Sequence, residues 1–238
     1  MPPPPTFDLT LTRTRMLAPN VRELSFARTD GVPFEFEAGQ WVSLVLPMPT
    51  GEGRRAYSIA SPPDGTPGLS IAVTKVEGGP GSTFLHELPV GGVLRAIGPQ
   101  GFFTRARGLP SLFVGTGTGV TPLRSMILDA IAKGDDAKMT LVFGVRSPED
   151  RLYADEFDAL AARLPDQFQV HYSLSRAGAD WPGRRGYVQT HVEELYRALP
   201  EGAHVYVCGL ERMVGTVRDL LRKQLGVERK QVHTERYD

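Results

Sequence analysis

The run Phe113-Val-Gly-Thr-Gly-Thr-Gly-Val-Thr-Pro122 joins an apolar stretch to a segment with helical periodicity. Gly115, Gly117 and Gly119 let backbone come close to a diphosphate. A helix beginning near Pro122 offers it unpaired N–H groups and the positive end of a dipole. Thr116 and Thr121 add hydroxyls to the same loop. The spacing is G-x-G-x-G rather than the G-x-G-x-x-G of dehydrogenases, and no acid follows the next strand to grip a ribose. A plain tight turn uses glycines in the same way. The loop gains meaning from standing at the first strand of a parallel sheet, because ligands bind at the carboxyl ends of such strands. Other chemistries fail on count and spacing. His86, His171, His191, His204 and His233 show no H-x-x-x-H pairing on a helical segment. One cysteine, Cys208, can build neither an internal disulfide nor a four-cysteine zinc or iron–sulfur site.

The elements that must position this loop follow two grammars. Up to about residue 105, short alternating or β-branched runs at 7–16, 21–28, 40–46, 55–61, 68–76 and 92–97 are separated by Gly/Pro punctuation. With one brief helical stretch at 82–88, they predict a six-stranded antiparallel β-barrel. After Arg107-Gly-Leu-Pro110, apolar runs at 111–114, 139–145, 168–174 and 203–208 alternate with helical segments at 122–132, 154–164, 190–198 and 211–225. That alternation predicts an α/β doubly wound parallel sheet. The expected domains are 1–107 and 108–238, a division that suits a chain of 238 residues. The 27 basic and 27 acidic side chains cancel, which argues against nucleic acid or an anionic membrane as the main partner. No apolar run approaches the roughly 18 residues that span a bilayer. The start, Met1-Pro-Pro-Pro-Pro5, has no charged and apolar regions of a signal peptide and reads as a disordered tail. A cytoplasmic, monomeric protein is the expectation.

Taken with the first half, the glycine loop resembles part of the plant-type ferredoxin–NADP(H) reductase superfamily, and the resemblance runs over nearly the whole chain. Arg55-Ala-Tyr-Ser58 is similar to that family's R-x-Y-S motif and Gly79-Pro-Gly-Ser82 to its G-x-x-S motif. Val207-Cys-Gly209 resembles its late C-G strand end, and Glu235-Arg-Tyr237 its E-x-Y carboxyl terminus. Each motif is short, but five in the correct order and the correct halves are specific. The resemblance implies a stand-alone FAD flavoprotein without an iron–sulfur domain. Arg55 would hold the flavin pyrophosphate, with Ser82 and Thr83 at the start of the barrel's helix. Tyr57, two residues along the strand, would lie against the flavin, and the Ser58 hydroxyl would reach its N5 edge. Cys208 would set nicotinamide geometry without a covalent bond. Glu235 would stand near the nicotinamide and the proton path, and Tyr237 would be a displaceable shield. The extra Asp238 departs from the family's terminal tyrosine.

In NADP-specific members of that family, a Ser-Arg pair and a later basic residue two before a tyrosine hold the 2′-phosphate and stack the adenine. Ser175, Arg176, Arg185 and Tyr187 match, and Arg146 is a further clamp. NADPH is therefore favoured over NADH. Trp181-Pro-Gly183 and Gly186-Tyr-Val188 also resemble the adenine loop of NADH-using oxygenase reductases, in which Arg184 and Arg185 would be solvated. The resemblance implies hydride transfer between NADPH and flavin, and single-electron exchange with a separate ferredoxin or flavodoxin. The alternatives are an NADH-dependent reductase component of an oxygenase and a non-catalytic flavoprotein docking subunit.

Overall fold

The structure is a computed structural model and describes residues 4–49 and 51–237. Asp238 and the first three residues of the proline-rich start lie outside the described residues. The chain folds as two compact units. One contains the chain up to Arg105 together with Arg124–Asp129; the other contains Ala106–Leu123 and the chain from Ala130 onward.

In the first unit β1 (Thr6–Ala18), β2 (Val21–Arg28), β3 (Trp41–Met48), β4 (Gly51–Ser58), β5 (Gly68–Thr74) and β6 (Val93–Gln100) form one sheet in the order β4-β3-β6-β1-β2-β5. Every neighbouring pair is antiparallel. The outer strands β4 and β5 meet, and just beyond β4 the Ala60 amide donates to Ser70 O at 2.7 Å. The sheet thus curls into a barrel and leaves little open edge. Period-two alternation sends Phe7, Leu9 and Leu11 of β1 and Val42, Leu44 and Leu46 of β3 into one core with Phe26, Ile59 and Ile71. Full burial of each such side chain is worth about 1.5–3 kcal/mol. Helix α1 (Pro80–Glu87) adds Leu85 to this core. It starts at Pro80, two residues before the sequence pattern suggests, because proline suits a first helical position.

The second unit holds β7 (Ser111–Thr116), the two ends of α2 (Val120–Ala132), β8 (Met139–Val145), α3 (Ala154–Arg163), β9 (Phe168–Leu174), β10 (Arg184–Arg185), α4 (Val192–Arg197), β11 (His204–Leu210), α5 (Glu211–Asp219) and β12 (Val232–Tyr237). The sheet order is β10-β9-β8-β7-β11-β12, parallel throughout. Strand order reverses beside β7, whose neighbours are β8 and β11, so the switch point of this doubly wound sheet lies at the carboxyl ends of β7 and β11. Buried runs such as Leu112–Val114 and Leu141–Phe143 are apolar at every position because both faces of the sheet are covered. Two strands escape the sequence pattern. β10 is two residues long, and β12 is a half-buried edge strand with one apolar residue at its start, so neither has a run to recognise. The last helix is also shorter than expected: α5 ends at Asp219 and continues as a π-helical turn, Leu220–Gln224. Among the described residues no helix is long and apolar enough to cross a membrane.

Candidate active site

In the barrel, pairing with β3 sets Arg55 opposite Leu44, Tyr57 opposite Val42 and Ser58 opposite Trp41. Arg55 and Tyr57 therefore share a face of β4. Arg55 is exposed, and its Nη1 donates to the carbonyl of Arg54 at 2.8 Å. No carboxylate among the described residues pairs with it. Tyr57 packs half-buried on the core, and burial pushes its phenol up to about 12 against the opposing influence of Arg55. Ser58 is buried.

Helix α1 completes this end. Thr83 N donates to Gly79 O at 3.0 Å, closing the first turn, and the amides of Gly81 and Ser82 have no carbonyl to meet within the helix. A Cβ on Gly81 would stand 3.2 Å from Leu46 Cδ1 and 3.7 Å from Arg55 Cγ. The Arg55 stem thus lies against the start of α1, which joins the two motifs into one cradle of cation and amides. That donor set fits a pyrophosphate-bearing flavin. The Ser82 hydroxyl contributes differently from its expected role as an anion ligand. It accepts from Val76 N at 3.0 Å and donates to Gly79 O at 3.1 Å, tying down the turn before the helix. Thr83 lies half-buried on the same turn.

At the switch point of the second unit, two loops interlock. A Cβ on Gly119 would come within 2.4 Å of Cys208 O, and one on Gly209 within 2.2 Å of Thr116 Oγ1. Only glycine permits that approach. Gly117, with φ +54°, turns the chain into the 3₁₀ turn that precedes α2. Thr116 Oγ1 is buried with no hydrogen-bond partner among the described residues, an orphaned polar atom beside Gly115 and Gly117 that suits a nucleotide's polar groups. Thr121 Oγ1 donates to Thr118 O at 2.8 Å and lies 3.4 Å from the Tyr237 hydroxyl. Cys208 is fully buried, paired across the sheet with Gly115 on one side and Glu235 on the other. Burial pushes its thiol well above the ordinary range, the Glu235 charge adds to this, and a hydrogen bond from Tyr237 acts in the opposite sense. A thiol held protonated in this way is no nucleophile. The edge strand β12 thus brings Cys208, Glu235, Tyr237 and Thr121 together.

A third group gathers at the carboxyl ends of β8 and β9. Arg176 N donates to Arg146 O at 2.9 Å and Ser175 N to Val145 O at 3.0 Å, which sets Arg146 and Arg176 side by side. Both side chains are exposed and neither has a partner among the described residues. Ser175 Oγ lies 3.4 Å from Val145 O. Arg185 does not join them as expected. Its Nη2 donates to Ala179 O and Trp181 O, both at 2.9 Å, binding the guanidinium to its own loop. Tyr187 is 67% exposed, an aromatic face open to solvent. Arg184, which the NADH-reductase alternative would leave solvated, forms a two-point ion pair with Glu194 at 2.7 and 2.8 Å. Among the described residues no group of three or more His, Cys, Asp or Glu side chains is placed to hold a metal ion.

Known proteins align with both halves of the chain. Residues 8–104 match the oxidoreductase FAD-binding domain family and residues 113–219 the oxidoreductase NAD-binding domain family. The chain is 57% identical over 239 residues to ferredoxin–NADP reductase B of Sorangium cellulosum, with 98% of each covered. It is 35% identical over 187 residues to the reductase component of phenol 2-monooxygenase from Pseudomonas sp., covering 76% of this chain and 52% of that one. The chain therefore spans about half the length of that relative. Its structure matches ferredoxin–NADP⁺ reductase of Plasmodium falciparum with a TM-score of 0.82 at 22% identity, over 98% of this chain and 96% of the other, a likeness of fold. By sequence and by architecture, the chain belongs to the ferredoxin–NADP reductase family of FAD- and NAD(P)-binding oxidoreductases.

Proposed function

We propose that this protein moves reducing equivalents between NADPH and a separate one-electron carrier of the ferredoxin or flavodoxin kind, with FAD in the barrel. The observation that carries the choice of nucleotide is the Arg146–Arg176 pair: two exposed guanidiniums without carboxylate partners among the described residues, where a ribose-gripping acid would otherwise stand. Such a pair suits a dianionic 2′-phosphate. The likeness to ferredoxin–NADP reductase B supports the same reading.

When bound, FAD exchanges a hydride with the nicotinamide and passes electrons one at a time. The remaining work falls to this chain. Arg55 and the first-turn amides of α1 hold the pyrophosphate, Tyr57 lies against the flavin, and Ser58 serves its N5 edge. Gly115, Gly117, Gly119, Thr116 and Thr121 receive the nicotinamide nucleotide's diphosphate. Cys208 shapes the nicotinamide position as a neutral thiol, Glu235 holds its amide and serves the proton path, and Tyr237 shields the place until displaced. Ser175, Arg176 and Arg146 bind the 2′-phosphate, and Tyr187 stacks the adenine.

A visible spectrum of the purified protein, followed by anaerobic titration with NADPH and separately with NADH, tests this reading. Flavin bands that bleach quickly with NADPH and slowly with NADH are the expected result. A yellow protein that neither nucleotide reduces supports the docking-subunit reading, and a chain that takes up no FAD overturns the proposal. A second reading, an NADH-dependent oxygenase reductase, draws on the attachment of Arg185 to its own loop and on the likeness to the phenol monooxygenase component. Rapid bleaching by NADH alone would favour it. With one cysteine, these 238 residues cannot themselves hold a four-cysteine iron–sulfur cluster.

A further inference from the structure

β10 has two residues, and its register with β9 pairs Arg184 with Ser173 and Arg185 with Leu174. Backbone pairing that short holds little by itself, yet the next residues carry the open Tyr187 ring. Side chains supply the rest, and the chemistry of each partner assigns the donors and acceptors. Arg184 Nη1, already bonded to Glu194, also stands 3.4 Å from His191 Nδ1. A guanidinium only donates, so Nδ1 accepts and the imidazole proton sits on Nε2. Nε2 lies 3.0 Å from Arg185 O and 3.1 Å from Ser173 Oγ. Ser173 spends its own hydrogen on Gly186 O at 2.8 Å, so its oxygen receives from His191. The carbonyls of Arg185 and Gly186 are both clamped, and the chain leaves them through Gly186 at φ +88°. Downstream, Thr190 N and Oγ1 donate to Tyr187 O at 3.1 and 2.8 Å, and His191 N to Val188 O at 3.0 Å.

We propose that His191 is a positioning residue for NADPH recognition, holding the Arg185–Gly186 backbone, and with it the Tyr187 ring, through the relay from Arg184 and Glu194 to Ser173. The inference rests on the reading of Tyr187 as the adenine platform. His191 touches no substrate. Its contribution is to keep the platform in one orientation before the nucleotide arrives, which lowers the ordering cost of binding.

The test compares His191→Leu and His191→Gln in the full chain, with 2′-phospho-AMP binding measured by calorimetry and steady-state kinetics measured with NADPH. His191→Leu weakens 2′-phospho-AMP about tenfold, the size of one lost hydrogen bond, and raises the NADPH KM alike with kcat unchanged. His191→Gln, whose carboxamide N–H reaches toward the place of Nε2–H, binds within about twofold of the parent. Unchanged affinity in His191→Leu overturns the proposal. So does an equal loss in both variants accompanied by a fall in kcat and in thermal midpoint. Arg176→Ala separates the two layers of argument. If it weakens 2′-phospho-AMP while His191→Leu does not, the positioning role alone fails. If the parent binds no 2′-phospho-AMP, the nucleotide reading fails with it.

Discussion

Glu235 stands directly across the parallel ladder from Cys208, and Tyr237, on the same face of β12, acts on the buried Cys208 thiol against the effect of burial. A carboxylate and a phenol converge on one fully buried sulfur at the sheet's switch point. Val232–Tyr237 is therefore built into the sheet as its edge strand.

On the proposed shielding role, removal of the Tyr237 ring takes away a group that the nicotinamide must displace. Tyr237→Ser is expected to bind NADP⁺ about tenfold more tightly, a gain of about 1.4 kcal/mol. Equilibrium titration of NADP⁺ measures it, and unchanged affinity counts against the shielding role.

Arg176 offers an unpaired guanidinium beside Arg146. Loss of a charge-assisted hydrogen bond costs about 1.5–3 kcal/mol, so Arg176→Ala should raise the NADPH KM roughly 10- to 100-fold. The NADH KM should stay near its original value. Equal effects on both nucleotides would remove Arg176 from the 2′-phosphate site.

The Arg55 stem lies against the start of α1 beside Gly81. Arg55→Met keeps the stem and deletes the cation, and should weaken FAD retention by about 1.5–3 kcal/mol. The flavin absorbance left after gel filtration reads the outcome. Full retention would mean that the helix amides hold the pyrophosphate without it.

His233 contacts His204 at 2.9 Å across β11 and β12, and its ring stacks on Tyr206 at 4.6 Å. Burial lowers the His233 pKa, and the neighbouring His204 lowers it further. Below the ordinary imidazole value of about 6.5 the unfolded chain binds more protons than the folded one. The contribution is complete above that pH and is lost as pH falls through the folded value. His233→Gln should therefore flatten the dependence of thermal midpoint on pH between about 7 and 5, read by calorimetry. An unaltered slope would refute it.

Several parts of the site are legible in the residues alone because their signals are local. The glycine loop, the Arg55-x-Tyr57-Ser58 alternation and the apolar runs of β7, β8, β9 and β11 each depend on residues a few positions apart. Nothing in Arg185-Gly-Tyr187 reveals that the carbonyls of Ala179 and Trp181 hold its guanidinium. The turn that Ser82 secures at Val76–Gly79 is likewise invisible in the local residues.

The amino-acid sequence by itself determined two domain grammars, a phosphate-approaching loop and the residue types for flavin and nucleotide chemistry, since periodicity and glycine placement act over one or two turns of chain. Tertiary structure decided which of those groups meet. It made β12 a strand by giving Val232–Tyr237 the edge of β11 to pair with, and it set Arg146 beside Arg176 through the pairing of β8 with β9. It also gave His191 a defined proton position through partners on two strands, β9 and β10. An edge strand with few apolar residues has no preference of its own; its conformation comes from the neighbour whose N–H and C=O groups it satisfies.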